Sequence, residues 1–183
     1  MLFRSQEFSY ITVASADFDI IKKIQERLSE DLSIRPYMST RSVKETYILR
    51  FKSGVWESAI RRFGIVENKS LKFLNLEYPT GDNFRHFVRG LFDSDGCVCY
   101  HTKQSGIDPQ FLILGGINYC YEIEGKLPFS LHRGWHGNVQ KLYTGSLPTI
   151  LEAYRFLYEG ATIWMNRKRE IFEYIRCYAE KRI

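Results

Sequence analysis

The sequence has no long hydrophobic run. Its unbroken apolar stretches are only a few residues long, far short of the roughly 18–20 that a membrane-spanning helix needs. The opening residues Met1-Leu2-Phe3-Arg4-Ser5-Gln6-Glu7 do not lead into the apolar segment of a secretory signal, so neither a membrane partner nor secretion is expected. Cysteine is scarce as well: Cys97, Cys99, Cys120 and Cys177 include no CxxC pair. Cys97 and Cys99 flank Val98 on one face of an expected strand, awkwardly placed to bridge each other. A disulfide scaffold is excluded on length, and the four are expected as reduced core thiols of a cytoplasmic protein. Strong charge of one sign is also absent. Lys and Arg total 26 against 21 acids, a net of +5, which favours a polyanionic partner only mildly and without a basic tail. His132 and His136 enclose Arg133-Gly134-Trp135 with metal-like spacing, but no third ligand lies nearby in sequence, so they read as surface histidines.

What is present describes a folded protein. The 183 residues are 44% hydrophobic and 26% charged, which excludes a disordered or fibrous chain and leaves room for one large domain or two small ones. Aromatic residues make 15% of the chain and supply large rings for a core.

The order of elements repeats. Residues 8–15 alternate as a strand, and Asp17 stands where a helix N-cap belongs, ahead of Ile20, Ile21, Ile24 and Leu28 on one helical face. Residues 34–40 and 45–52 read as a strand pair, followed by a short helix from Trp56 to Phe63. In the second half, 110–114 is a strand, 117–127 a helix, 129–135 and 138–144 a strand pair around a Gly137 turn, and two helices close the chain. Residues 50–54 align with 141–145 at an offset of 91, and residues 11–15 with 112–116 at an offset of 101. This predicts an α+β fold with two related halves.

Between them lies Phe84-Arg85-His86-Phe87-Val88-Arg89-Gly90-Leu91-Phe92-Asp93-Ser94-Asp95-Gly96. Phe84, Phe87, Val88, Leu91 and Phe92 form an apolar helical stripe. Gly90 in mid-helix costs about 1 kcal/mol relative to Ala, which predicts close approach of another helix there. Gly96 is expected to end the helix as a C′ residue. Asp93 and Asp95 stand in the last turn, where the helix dipole disfavours carboxylates and a divalent cation such as Mg²⁺ would favour them.

The stretch Gly90-Leu91-Phe92-Asp93-Ser94-Asp95-Gly96, preceded by Phe87-Val88-Arg89 and followed by Cys97-Val98-Cys99-Tyr100, resembles the motif of LAGLIDADG homing endonucleases. Residues 63–71 and 156–172 are similar to further segments of that family's two-repeat members. The resemblance implies antiparallel sheets with helices in a pseudo-twofold repeat: residues 1–83 would be a partial first repeat and residues 84–183 a second, with its motif helix at 84–95. It implies Asp95 as metal ligand with the Gly96 carbonyl as a second contact, and Lys168 and Lys69 beside the scissile phosphate. Phe87, Gly90, Leu91 and Asp93 would serve the helix interface. The first-half counterpart of Asp95 would fall before Met1, so the first motif helix is expected to be missing.

Two functions follow from the resemblance. One is a Mg²⁺-dependent endonuclease of intron or intein mobility, cytoplasmic, organellar or phage-encoded, which hydrolyses double-stranded DNA once a homodimer through residues 84–95 supplies a second acidic helix. The other is an inactive DNA- or RNA-binding regulator or splicing factor. In both, the strand pairs offer Arg35, Tyr37, Ser39, Arg41, Arg50, His132, Arg133, Asn138, Gln140 and Lys141, side-chain types that reach base edges and phosphates.

Overall fold

The computed structural model describes residues 10–38, 45–63, 78–115, 117–137 and 139–181. The chain divides into two compact units, Met1–Glu77 and Tyr78–Ile183.

In the first unit, β1 (Ile11–Ser15), α1 (Phe18–Leu28), β2 (Ile34–Met38), β3 (Glu45–Phe51) and α2 (Gly54–Arg62) follow in order. The three strands form an antiparallel sheet, β1-β3-β2. Alternation puts Val13 and Leu49 opposite each other on the face that α1 covers with Ile20 and Ile21. The third buried place on α1 goes to Gln25 rather than Ile24, because its side-chain amide donates to the Leu32 carbonyl in the turn beyond the helix. Ser53 caps α2, its hydroxyl accepting from the Trp56 N–H at 3.3 Å.

The second unit comprises α3 (Asp82–Asp95), β4 (Cys97–Lys103), β5 (Gly106–Gly115), α4 (Ile117–Glu124), β6 (His132–His136), β7 (Val139–Thr144), α5 (Leu147–Tyr158) and α6 (Asn166–Glu180). Its antiparallel sheet has the order β4-β5-β7-β6. Val98, Phe111, Ile113 and Leu142 point to one face, where Phe84, Val88, Phe92, Ile150, Leu157, Phe172 and Ile175 complete a single core. Phe92 is fully buried and stacks on Phe111 at 4.9 Å. Three of the five rings and aliphatics in the α3 stripe are therefore sealed inside this unit. Only Phe87 and Leu91 remain half-buried at its margin.

The topology repeats as β1-α1-β2-β3-α2 and β5-α4-β6-β7-α5, but one sequence offset is corrected. Ile11 pairs with Phe51 in the first sheet, and the matching pair in the second is Ile113 with Leu142. The first-strand alignment must move one residue beyond the 101 expected from sequence. A one-residue slip exchanges the two faces of a strand: aligned as expected, Ile11, half-buried on the helix-covered face, would fall on Leu112, which faces away from the core.

Gly96 ends α3 as expected, but not by adopting the left-handed conformation of a C′ residue. Its φ is −78°. Glycine is required by space: a Cβ there would lie 2.7 Å from the Phe92 carbonyl oxygen and 2.9 Å from that of Leu112. Gly96→Ala is predicted to destabilise the second unit by about 1–3 kcal/mol, the typical cost of overpacking, measured by urea denaturation. An unchanged midpoint would show that the joint between α3 and β4 yields.

Candidate functional site

The end of α3 is held from both sides. Lys168, in the first turn of α6, is only 2% exposed. Its ammonium donates to the carbonyls of Phe92, Asp93 and Gly96 at 2.5, 2.8 and 2.7 Å, so all three N–H bonds are spent on the carbonyls that a helix C-terminus leaves over. The buried Asp93 carboxylate accepts the Tyr158 hydroxyl at 2.5 Å and the Met165 N–H at 3.2 Å, tying α3 to the end of α5 and the start of α6. In return, Arg85 and Arg89 of α3 donate to the Glu159 and Leu157 carbonyls where α5 ends, a favourable place for cations.

Burial governs the electrostatics of this joint. It raises the Asp93 carboxyl above the usual carboxylate range, against the lowering pull of its hydrogen bonds and of Lys168 and Arg89. Burial also raises the Tyr158 hydroxyl, with the Asp93 charge adding to it. The Lys168 ammonium is lowered to about 8, by burial first and by the neighbouring Arg167 second.

Asp95, in contrast, is exposed, and among the described residues its carboxylate accepts the Ser94 hydroxyl at 3.3 Å. Both Asp93 oxygens are committed inside the protein, and the Gly96 carbonyl already accepts an ammonium. Among the described residues, no group of three or more His, Cys, Asp or Glu side chains is placed to hold a metal ion. Hard cations take several oxygen ligands, so the described residues do not fit Mg²⁺ by themselves.

Each sheet has a second face opposite the one its helices cover. In the first unit this face carries Thr12, Arg35, Tyr37 and Arg50, and the Arg50 guanidinium donates to the Thr12 hydroxyl at 3.3 Å. In the second unit the register places Cys97, Cys99, His101, Lys103, Gln110, Lys141, Tyr143, His132 and His136 there. Gly134 lies on the same face, and a Cβ on it would strike the Lys141 and Tyr143 side chains at 2.9 and 3.0 Å. Its absence lets those side chains lie across β6, with the Lys141 ammonium 4.6 Å from the Tyr143 ring.

No family model matches the chain, and no curated protein matches it in sequence. Solved structures match it over nearly its whole length. The LAGLIDADG meganuclease I-AabMI, solved bound to uncleaved DNA, is similar at 10% identity and a TM-score of 0.61, over 94% of this chain and 83% of that one. The I-LtrWI LAGLIDADG homing endonuclease, bound to target DNA, gives 12% identity and 0.55, over 95% and 80%. Full-length DUF199/WhiA from Thermatoga maritima gives 14% and 0.57, over 95% of this chain and 53% of that one, so this chain spans about half of WhiA's length. The chain has the LAGLIDADG fold.

On that fold the expected site residues separate into groups. Asp95 stands free at the end of α3, the motif helix of the LAGLIDADG resemblance. Lys168, expected beside the scissile phosphate, is a buried cap of that helix whose three N–H bonds go to backbone carbonyls. Asp93 supports the helix end from inside and presents nothing to a second helix. Among the described residues nothing lies within 4 Å of where a Gly90 Cβ would stand. Arg35, Tyr37 and Arg50 share one exposed face, as do His132 and Lys141. Arg133 and Gln140 do not join them. Gln140 is 5% exposed, and Arg133 is on the helix-covered side, where it pairs with Glu124. Ser39, Arg41, Lys69 and Asn138 lie outside the described residues. The cysteine expectation is also corrected: Cys120 is buried, but Cys97 and Cys177 are exposed. Sequence reasoning missed Tyr158, Arg89 and the capping role of Lys168, whose partners lie more than 60 residues away.

Lys168→Met keeps the length of the side chain and removes its donors. It is predicted to cost about 2–4 kcal/mol at pH 7, because the Asp93 and Gly96 carbonyls lose the ammonium, the Phe92 carbonyl keeps only the Gly96 N–H, and the Asp93 carboxylate loses a nearby cation. The folded lysine titrates near 8, below its usual 10.5. Between those values the unfolded state binds more protons, and stability from this group rises with pH. The gap between wild type and variant should widen from pH 8 to 10 in urea titrations; a gap that narrows would contradict the buried cap.

Proposed function

We propose that this chain binds double-stranded DNA through the helix-free faces of its two sheets. The observation that carries the reading is the composition of those faces. Arg35, Tyr37 and Arg50 on one, and His101, Gln110, His132, His136, Lys141 and Tyr143 on the other, supply cations and hydrogen-bonding groups in alternating rows, beside Leu112, Leu114 and a Lys103–Asp108 ion pair at 2.6 Å. Such rows suit phosphate contact and base-edge readout. The similar meganucleases I-AabMI and I-LtrWI were solved on DNA, which supports the same use of the fold here. On this reading residues 1–83 and 84–183 are two repeats of one DNA-gripping unit. The chain by itself grips without cutting, since Asp95 is the one acid of the described α3 end that faces solvent uncommitted.

A second reading, Mg²⁺-dependent cleavage, is favoured by one observation. Gly90 is exposed between the half-buried Phe87 and Leu91, on the helix that ends at Asp95. A second copy packing its own α3 there would bring a second Asp95 and add the oxygen ligands that one chain lacks. Nuclease activity, and with it intron or intein mobility, would then belong to the dimer.

Affinity for a random duplex should fall steeply between 50 and 200 mM salt, and Arg35→Ala with Arg50→Ala should lower the salt slope by about 2, one per phosphate contact. Arg133→Ala should leave both unchanged. Salt-independent binding, or no binding, overturns the DNA reading. For the second reading, a sedimenting dimer that nicks plasmid with Mg²⁺ is expected, with Gly90→Leu abolishing both; a monomer that binds and never cuts leaves the binding module.

A further inference from the structure

Gly134 stands in the edge strand β6, opposite Lys141 of β7, on the helix-free face of the second sheet. Its backbone is not in the left-handed region, so conformation does not demand a glycine there, and a glycine inside a strand weakens it. Space accounts for the residue. Where its Cβ would stand, the Lys141 Cε lies at 2.9 Å and Cγ at 3.5 Å, and the Tyr143 Cε1 lies at 3.0 Å. The lysine chain therefore runs flat over the glycine instead of standing off the sheet, and its ammonium ends 4.6 Å from the centre of the Tyr143 ring. His132, opposite Tyr143, flanks that ring in turn, with centroids 5.6 Å apart. Lys103 of the same face is engaged by Asp108 at 2.6 Å, whereas among the described residues Lys141 meets no carboxylate. Its ammonium is ordered without being neutralised.

We infer that Gly134 is a positioning residue that fixes Lys141 as the reader of a guanine in the bound duplex, an inference that rests on the DNA reading above. An ammonium has donors and no acceptor. In the major groove guanine alone presents two acceptors, N7 and O6, with no donor beside them, so a donor-only group in a fixed place selects it. A lysine that swings freely meets a phosphate as readily as a base, and a phosphate carries no sequence information. Lys141 is laid over the gap at Gly134 and faced by the Tyr143 ring, which narrows its reach to one direction. The side-chain ordering that a contact would otherwise cost is in place before DNA arrives. A side chain at position 134 would lift both Lys141 and Tyr143 and return the ammonium to many directions.

The test selects duplexes from a random-sequence pool with the full chain and replaces the guanines of the selected duplex one at a time by 7-deazaguanine, which pairs normally and lacks N7. One replacement should weaken wild-type binding roughly 5-fold or more, the scale of a well-made base contact. Lys141→Met removes the donor and should erase that penalty. Gly134→Ala changes no charge, and the atoms its Cβ would meet are side-chain ends, so the sheet should stay folded. It should shrink the penalty to less than about 2-fold with the salt slope unchanged. Should Gly134→Ala melt early by circular dichroism, Tyr143→Leu decides in its place: it removes the ring beside the ammonium, and the same loss is expected. The inference is overturned if no guanine depends on Lys141, or if a folded Gly134→Ala chain keeps the full penalty. It is also overturned if that variant lowers the salt slope by about 1, which puts Lys141 on a phosphate. A chain that binds duplex with a steep salt dependence but selects no guanine keeps the DNA reading and loses only this inference; absence of duplex binding overturns both.

Discussion

The second unit depends on one ammonium in an apolar place. Lys168 sits almost wholly out of water with its three donors on the last carbonyls of α3 and the first of the following joint. A helix C-terminus is more often closed by a glycine in the left-handed region or by water. Here a lysine from another helix does so, and the desolvation it suffers is visible in its lowered pKa. The cost is offset by Asp93, which binds Tyr158 and the Met165 N–H. Removing the Asp93 carboxylate leaves the Tyr158 hydroxyl and the Met165 N–H without this acceptor, and removing Lys168 takes a donor from three carbonyls, a costly change in a buried place.

The joint has a geometric consequence. Gly96 passes so close to Phe92 and Leu112 that no side chain fits, so β4 must leave α3 in one direction. With α3, α4, α5 and α6 all packed on the Val98–Phe111–Leu142 side, the other side of the sheet carries polar, basic and sulfur-bearing side chains together with Asp108, Leu112, Leu114 and Val139. The same capping bonds determine which acid is available. They commit Asp93 and the Gly96 carbonyl to the fold and leave Asp95 exposed, so the end of the motif helix divides into an internal brace and an external carboxylate.

Much of this was legible in the amino-acid pattern, and the failures have physical reasons. The α3 stripe and the strand pairs gave the α+β class because periodicity is a local signal, while the LAGLIDADG fold came from the resemblance of the run ending in Asp95-Gly96 to that family's motif. Arg35, Tyr37 and Arg50 were placed on a common face correctly, since the alternation in the β2–β3 hairpin is unbroken. In the second sheet the face could not be read from one hairpin alone: Arg133 and Gln140 occupy the opposite parity from His132 and Lys141, and parity is set by pairing with β5. The burial of Lys168 was missed for a related reason. A lysine two residues past a helix start looks solvated in sequence, and only the tertiary approach of α3 shows that its ammonium has carbonyls for company.

The central claim is that nucleic acid meets the helix-free sheet faces. Lysine acetylation footprinting with and without duplex DNA, read residue by residue by mass spectrometry, tests it most directly. The account predicts that DNA protects Lys103 and Lys141, which share that face, and leaves the exposed Lys126, on the loop after α4, as reactive as before. Protection of Lys126 with Lys141 still fully reactive would contradict it.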